Sequence, residues 1–258
     1  MTFKTSFVFT YFCTDMKPNA YTIKHLLAFL LCLSMAPLAI CQDVESEEVE
    51  TKVLDSLYKE DQFYIGVTYN LLAYKPKGVS QNGFSSGFHF GFTKDMPINK
   101  RRNMAIGLGL GLSFNSFNHN LLIEKKEDNT IEFNVLNDAE TAFTKNKFSM
   151  HLVEVPLEFR WRTSTAEDYM FWRIYTGFKF GYVFSNGSKF RGDPRNIKLN
   201  NIDAFNKFQY GINLSVGYNT WNFYAYYALN PIFKSDSKIN ATTIDAKALK
   251  IGLMFYIL

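Results

Sequence analysis

Long stretches of the chain alternate strictly between large apolar residues and small or polar ones. The clearest is NMAIGLGLGLSFNSF at residues 103–117, where every second residue is large and apolar and the residues between are mostly Gly, Ala, Ser or Asn. A period of two residues indicates a β-strand, because an α-helix would scatter both sets around its circumference. Each glycine would also cost a helix about 1 kcal/mol relative to alanine. This stretch is therefore predicted to be a strand.

Seven further segments show the same alternation, which gives eight predicted strands. Most are long enough to cross a bilayer, for which about 9–11 tilted residues are needed. Short connections follow the second, fourth and sixth strands, whereas the other connections are long. An even number of strands with short turns at one end and long loops at the other is typical of transmembrane barrels. The strands are predicted to begin near residues 63, 84, 104, 153, 172, 208, 221 and 249.

We expect the large apolar face of each strand to meet lipid and the glycine-rich face to point into a narrow barrel. The sheet must close, because unpaired backbone groups at a strand edge are costly in lipid. Side chains just fill an eight-stranded interior, and glycines make room for the larger ones. The alternative is a soluble barrel such as a lipocalin, whose polar face should be rich in Lys, Glu and Thr. Here that face is mainly Gly, Ser, Asn and Ala, which favours the membrane barrel.

One strand has an irregular pattern. Met150 and Leu152 fall out of step with Val153 in the fourth predicted strand. A β-bulge near residue 152 would explain this change of phase, since a bulge inserts one extra residue into a strand. The alternative is that the strand begins only after this point.

Aromatic residues cluster beside the predicted short turns. Trp and Tyr concentrate at membrane interfaces because their rings are amphipathic. All three tryptophans of the chain lie at the end or start of a predicted strand, next to a short turn. The predicted membrane-interface aromatics are Phe92, Trp161, Trp172, Tyr218, Trp221 and Phe255.

Charged residues interrupt the inward face of the fourth and fifth predicted strands. Buried charges must be paired, so these side chains predict a luminal salt-bridge network with a structural role. A tight turn at residues 163–168 would place Glu158 opposite Arg173. A gating or binding role for the same residues is the alternative. The predicted network comprises Glu154, Glu158, Arg160, Arg162, Arg173 and Lys179.

The first 41 residues have the features of a secretory signal peptide, with Met16 as a possible true start. A basic segment precedes an apolar run at residues 26–40, and cleavage is expected between Cys41 and Gln42. The alternative is lipid attachment at Cys41. Because all three cysteines lie within residues 1–41, the mature chain has none, which excludes disulfides and thiol chemistry.

The domain organisation follows from this cleavage. Residues 42–60 are strongly acidic and are predicted to form a flexible periplasmic tail, and residues 61–258 form the barrel. An even number of strands then places both termini on the periplasmic side of the outer membrane. The charged segment at residues 124–140 is expected to form a long extracellular loop, with room for a short hairpin.

No motif in the sequence indicates catalysis or metal binding. The histidines of the mature chain are His89, His119 and His151, and they lack the spacing of a metal site. A barrel hydrolase would need a histidine near a serine and a carboxylate, and Ser113 and Glu154 could join His89, but no motif supports this set. We therefore expect no enzyme activity, no cofactor and no small-molecule substrate. The net charge of +4 is modest, so nucleic-acid binding is not expected either.

Two stretches resemble known families. HLVEVPLEFRWR (residues 151–162), followed by the Gly-rich FWRIYTGFKFGYVF (residues 171–184), resembles a large family of outer-membrane β-barrels. Residues 64–117 resemble the PorT family, called SprT in gliding bacteria, and this resemblance covers roughly residues 60–258. It implies an outer-membrane component of the type IX secretion machinery, which exports surface proteins and supports gliding motility. The implied partners are outer-membrane lipid and other components of that machinery.

The size of the barrel limits what this component could do. Eight strands around a filled lumen cannot pass a folded cargo protein. We therefore expect an accessory or assembly role rather than a conduit. The alternative is a general small barrel of the outer membrane that serves adhesion or envelope stability.

Overall fold

The computed structural model describes residues 61–81, 83–137, 143–163, 171–192 and 195–257. The predicted signal peptide and acidic tail lie outside these residues, so both stay predictions. Within the described part of the chain, no helix is long and apolar enough to span a membrane. Its strands are β1 (Gln62–Ala73), β2 (Ser86–Pro97), β3 (Met104–Asn118), β4 (Leu121–Lys125), β5 (Ile131–Val135), β6 (Phe143–Arg162), β7 (Trp172–Gly192), β8 (Asn196–Asn200), β9 (Phe208–Tyr218), β10 (Trp221–Ala228), β11 (Lys238–Ile239), β12 (Thr242–Thr243) and β13 (Lys247–Ile257).

Eight of these strands close into an antiparallel barrel. Their order around it is β6, β3, β2, β1, β13, β10, β9 and β7, and β7 also pairs with β6. Closure therefore leaves no unpaired edge within the barrel, as lipid requires. The eight strands match the eight that the alternation predicts, and the predicted fold class is confirmed. We call the end with the connections β2–β3, β6–β7 and β9–β10 the short-turn end, and the opposite end the long-loop end.

The two faces of each strand differ as the sequence pattern predicts. On β1, Phe63 and Ile65 face outward with 60% and 51% of their surface exposed, whereas Tyr64 between them is 4% exposed. Side chains alternate between the faces because the strand repeats every two residues. The same alternation continues on β9, where Phe208 and Tyr210 are exposed and Gln209 between them is buried.

The irregularity near residue 152 lies in the neighbouring strand. His151 pairs with Ser185 and Leu152 pairs with Val183, so the extra residue is Phe184 of β7. Pairing of β6 with β3 continues through the same level without a shift. The bulge therefore occurs at the predicted level but not in the predicted strand. Met150 and Leu152 are apolar because they face a buried apolar cluster and not because the strand changes phase.

A second layer lies beyond the long-loop end. We call it the cap, comprising β4, β5, β8, β11, β12 and the described residues that connect them to the barrel. The β4–β5 hairpin occupies much of the charged segment at residues 124–140. Phe148 packs against Phe117 and Phe205 with ring centroids 4.9 and 5.5 Å apart, and Phe205 lies 4.8 Å from Phe233. These rings belong to one apolar cluster that continues into the barrel, so the cap packs on the barrel through a shared core.

Candidate functional site

Glu154 lies at the centre of a buried charge cluster in the lumen. Its carboxylate is 3.3 Å from Nζ of Lys179 and 3.6 Å from Nζ of Lys250. The Ser113 hydroxyl donates a hydrogen bond of 2.7 Å to the same carboxylate. Lys179 also donates to the Tyr224 hydroxyl at 2.8 Å. One carboxylate thus pairs with two ammonium groups, and the hydroxyls of Ser113 and Tyr224 add hydrogen bonds to Glu154 and Lys179.

A second charge cluster lies nearer the short-turn end and centres on Asp95. Arg162 donates to both of its carboxylate oxygens, at 3.0 and 2.8 Å, and Arg160 donates to one of them at 3.1 Å. Arg160 also donates to Gln62 and lies over the Tyr175 ring, 4.1 Å from its centroid. All three charged side chains are fully buried. Two guanidinium groups on one carboxylate give a rigid, dehydrated plug.

The predicted pairing of Glu158 with Arg173 is wrong. Arg173 pairs with Arg162, and Glu158 pairs with Gly177. The reason is the length of the turn, since β6 ends at Arg162 and β7 begins only at Trp172, so the connection is longer than the predicted residues 163–168. Arg173 donates to the carbonyl oxygen of Asn219 and lies over the Phe171 ring.

Glu158 joins the Asp95 cluster through contacts other than the predicted one. Its carboxylate accepts a hydrogen bond of 2.9 Å from Asn213 and lies 3.8 Å from Nε of Arg160. All six predicted network residues are buried on the inner face. Five of them belong to the two clusters, and Arg173 contacts Asn219 and Phe171. Their predicted structural role is untested by these contacts.

Two central members of these clusters are missing from the predicted set. The sequence predicts that Asp95 lies in KDMPINKRRN (residues 94–103), the short connection after the second strand. In the structure β2 continues to Pro97, and its alternation places Asp95 inside. Lys250 lies between Leu249 and Ile251 on β13, so the period of two places its side chain on the inner face. Charged residues flanked by apolar ones within a strand are the useful sequence signal.

Glycines on β2 and β3 make room for Tyr64 in the lumen. A Cβ atom at Gly111 or Gly91 would overlap the hydroxyl of Tyr64. Tyr64 itself is buried, and Nζ of Lys179 lies 5.7 Å from its ring centroid. The glycine face of β3 therefore leaves space for large side chains from other strands, and these side chains fill the lumen of the small barrel.

The residues considered for catalysis do come close together in the lumen. His89 lies 3.8 Å from Glu154, and Ser113 also contacts this carboxylate. However, the serine hydroxyl donates to Glu154 and not to the histidine, whose Nε2 contacts Thr68 at 3.0 Å. A hydrolase triad needs the order serine, histidine, carboxylate, so this geometry does not activate the serine. The side chains are also almost fully buried, which leaves a substrate no access.

The described residues contain no group of three or more His, Cys, Asp or Glu side chains that could hold a metal ion. His119 is a buried cap residue, whose Nδ1 accepts a hydrogen bond of 3.0 Å from the Leu121 backbone and whose ring lies 4.8 Å from that of Phe148. Burial lowers the pKa of His119 from 6.5 to about 3, so the ring is neutral. His151 faces outward, 5.1 Å from the Phe114 ring.

The six predicted interface aromatics lie on the outer face near the short-turn end. Trp172 stands beside Tyr218 with ring centroids 5.5 Å apart, and Trp221 stands beside Phe255 at 5.0 Å. Phe92 contacts Phe63 at 5.1 Å, and Trp161 pairs with Met104. The aromatic side chains thus form a band around the barrel. Their position at a membrane interface remains a prediction.

Comparison with a family model agrees with this architecture. The family model described as "Outer membrane protein beta-barrel domain" matches residues 46–234, well over half of the chain. Similar solved structures include two of Ail, the attachment invasion locus protein of Yersinia pestis, one in complex with the heparin analogue sucrose octasulfate. They share 13% and 12% identity with this chain at a TM-score of 0.33, over 78% of this chain and 100% of theirs. No curated protein matches the chain.

Proposed function

The chain belongs to the outer-membrane β-barrel family, and we propose that it is a closed, non-conducting barrel that acts by binding other molecules. The family makes it an integral protein of the outer membrane. The observation that carries the proposal is the filled lumen, in which Asp95 and Glu154 each hold two cationic side chains in the barrel interior. Neither protein cargo nor substrate has a path through such an interior. Binding would therefore take place at the outer surfaces, the turns and the cap.

The proposed orientation places both termini in the periplasm and the cap outside the cell. An even strand number brings the two ends of the barrel sequence to one side, and the short turns lie at that side. Outer-membrane barrels have short periplasmic turns and longer extracellular loops. The aromatic band beside the short turns would then mark the periplasmic interface.

The more specific proposal is an accessory component of type IX secretion. It is supported by the resemblance of residues 64–117 to the PorT family and by the filled lumen, which argues for an assembly role rather than a conduit. Its partners would be other components of that machinery and outer-membrane lipid. The binding surfaces would require no catalytic residue, cofactor or small-molecule substrate.

The second candidate is a general barrel for adhesion or envelope stability. The cap favours it, because the apolar cluster around Phe148, Phe205 and Phe233 gives the long-loop end a defined surface. A rigid surface of this kind is able to bind a partner without a large loss of conformational entropy.

Deletion of the gene in its native host separates these candidates. The type IX proposal predicts that export substrates are retained in the periplasm and that the wild-type gene restores their secretion. Normal secretion together with altered adhesion or detergent sensitivity would support the second candidate.

A further inference from the structure

Three lysines stand side by side across three neighbouring strands at the long-loop end. Lys147 of β6 pairs with Lys189 of β7, which pairs with Lys198 of β8. The next outward-facing pair toward the strand ends joins Lys145 and Arg191. Like charges directly opposite one another destabilise a sheet. We call these five residues the basic row.

The basic row faces away from the apolar core. Phe148 and Phe190, the sequence neighbours of Lys147 and Lys189, are buried on the opposite face. The positive charges of Arg191, Lys145 and Lys198 lower the pKa of Lys189. Among the described residues, no carboxylate forms an ion pair with any member of the row. The surface ion pairs in this region, Arg195 with Glu124 and Lys126 with Glu132, involve other residues.

The row lies directly above the apolar band of the barrel. Along β6 the outward residues run from Trp161 through Leu157 to Val153, and then change to His151, Ser149 and Lys147. At about 3.3 Å per residue and a tilt of about 40°, Lys147 lies about 35 Å above Trp161. The apolar band of such barrels is about 25 Å tall, so the row lies about 10 Å beyond it. This is the level of lipid headgroups.

A shallow concavity of about 140 Å³ opens along the row. It is lined by Lys147, Lys189 and Lys198 together with the small residues Ser149, Gly187 and Ser188. Ammonium groups are effective partners for phosphate as mobile point charges. The small residues between them leave the charged groups accessible.

We propose that the basic row binds the phosphate groups of lipid headgroups in the outer leaflet and thereby fixes the barrel in the membrane. The repulsion among these residues in the free protein would be relieved by the bound anions. The assignment to the outer leaflet rests on the proposed orientation, whereas the choice of a lipid headgroup rests on the continuity of the row with the lipid-facing surface. It does not depend on a role in secretion.

The experiment uses purified full-length protein in neutral detergent micelles, with binding of lipid A measured by native mass spectrometry. The tested variant is Lys147→Gln/Lys189→Gln/Lys198→Gln. The matched control is Lys75→Gln/Lys77→Gln/Lys238→Gln, which removes three exposed lysines outside the row. A third variant replaces the three row lysines by arginine, and circular dichroism checks that every variant retains the barrel. Dephosphorylated lipid A and inorganic phosphate are the comparison ligands.

The proposal predicts that the glutamine row variant binds lipid A at least about tenfold more weakly than the wild type, since each nearby basic residue adds to attraction. The control and the arginine variant should bind as the wild type does, and added salt should weaken binding. Equal affinity of the glutamine row variant and the wild type would overturn the proposal. Equal affinity for dephosphorylated lipid A, or full competition by inorganic phosphate at matched concentration, would overturn it as well. Since no step uses secretion, failure here is separate from failure of the proposed function.

Discussion

Nζ of Lys179 lies 3.3 Å from the carboxylate of Glu154, and both side chains are only 4% exposed. Lys250 approaches the same carboxylate from the opposite part of the barrel, on β13. The three residues together therefore connect β6 and β7 with a strand that is distant around the barrel. Such contacts across the lumen hold it closed in a way that backbone hydrogen bonds between neighbouring strands cannot.

Replacing Glu154 with glutamine should strongly destabilise the barrel. The change leaves Lys179 and Lys250 buried without their carboxylate, and an uncompensated buried charge costs about 3–5 kcal/mol. The free energy of unfolding can be measured by urea titration in detergent micelles, followed by tryptophan fluorescence.

The control for that measurement is Glu132→Gln, which breaks an exposed ion pair of 3.1 Å with Lys126. Exposed pairs contribute about 0–1 kcal/mol, so this variant should unfold almost as the wild type does. If the two variants were equally stable, the account of Glu154 as the centre of the luminal cluster would be wrong.

Gly111→Ala should destabilise the barrel by about 1–3 kcal/mol, the usual cost of overpacking. The new Cβ would overlap the Tyr64 hydroxyl and crowd the carbonyl oxygen of Phe90. The double variant Gly111→Ala/Tyr64→Phe should recover part of this loss because it removes the hydroxyl. Urea titration of the two single variants and the double variant measures the coupling, and strictly additive losses would show that Tyr64 does not fill the space beside Gly111.

The alternation alone determines the strands and their faces, because it repeats over most of the described chain. Alternation combined with the cost of open edges in lipid also determines closure, so the eight-stranded barrel could be predicted. The exact pairing of residues between strands could not be predicted, because the register between β6 and β7 depends on the turn that follows Arg162. Arg173 lies opposite Arg162 only because that turn is longer than its polar residues suggest.

The charge clusters were predicted in part for a similar reason. The inward positions of Glu154 and Lys179 follow from their strands, whereas Asp95 lies in a segment that reads as a turn. The charged segment at residues 124–140 was expected to have room for a hairpin, and part of the β4–β5 hairpin lies there. The packing of the cap could not be predicted, since the contacts of Phe148 with Phe205 and Phe233 join residues far apart in the chain. No local pattern specifies which loops meet.

Acid should destabilise the cap through His119. Its pKa is about 3 in the folded protein and near 6.5 when it is exposed, so the folded state favours the neutral ring. The stabilisation is complete well above pH 6.5 and is lost as the pH falls toward 3. By pH 4.5 the loss from this residue is about 3 kcal/mol.

The variant His119→Gln isolates this contribution. Urea titrations at pH 7.5 and pH 4.5 should show a smaller loss of stability for the variant than for the wild type, since other groups titrate equally in both. The hydrogen bond from the Leu121 backbone to the ring makes local opening of the β4–β5 hairpin a second readout. An identical loss in both proteins would mean that His119 is accessible to protons in the folded state.

The tryptophans should report the depth of the short-turn end in the bilayer. All three lie at that end, so the fluorescence of the wild type comes from one membrane level. We expect strong quenching by lipids brominated near the headgroup, weaker quenching by lipids brominated near the chain end, and little quenching by iodide in solution. The strongest quenching by mid-bilayer bromine would contradict the proposed interface band.

The most direct test of the closed lumen is ion flux through the purified barrel in liposomes. Flotation on a density gradient and resistance of the barrel strands to protease first establish that the protein has inserted. The account predicts that potassium release from these liposomes equals that from protein-free liposomes, because the clusters around Asp95 and Glu154 leave no continuous aqueous path. Release that rises in proportion to the amount of inserted protein would contradict it.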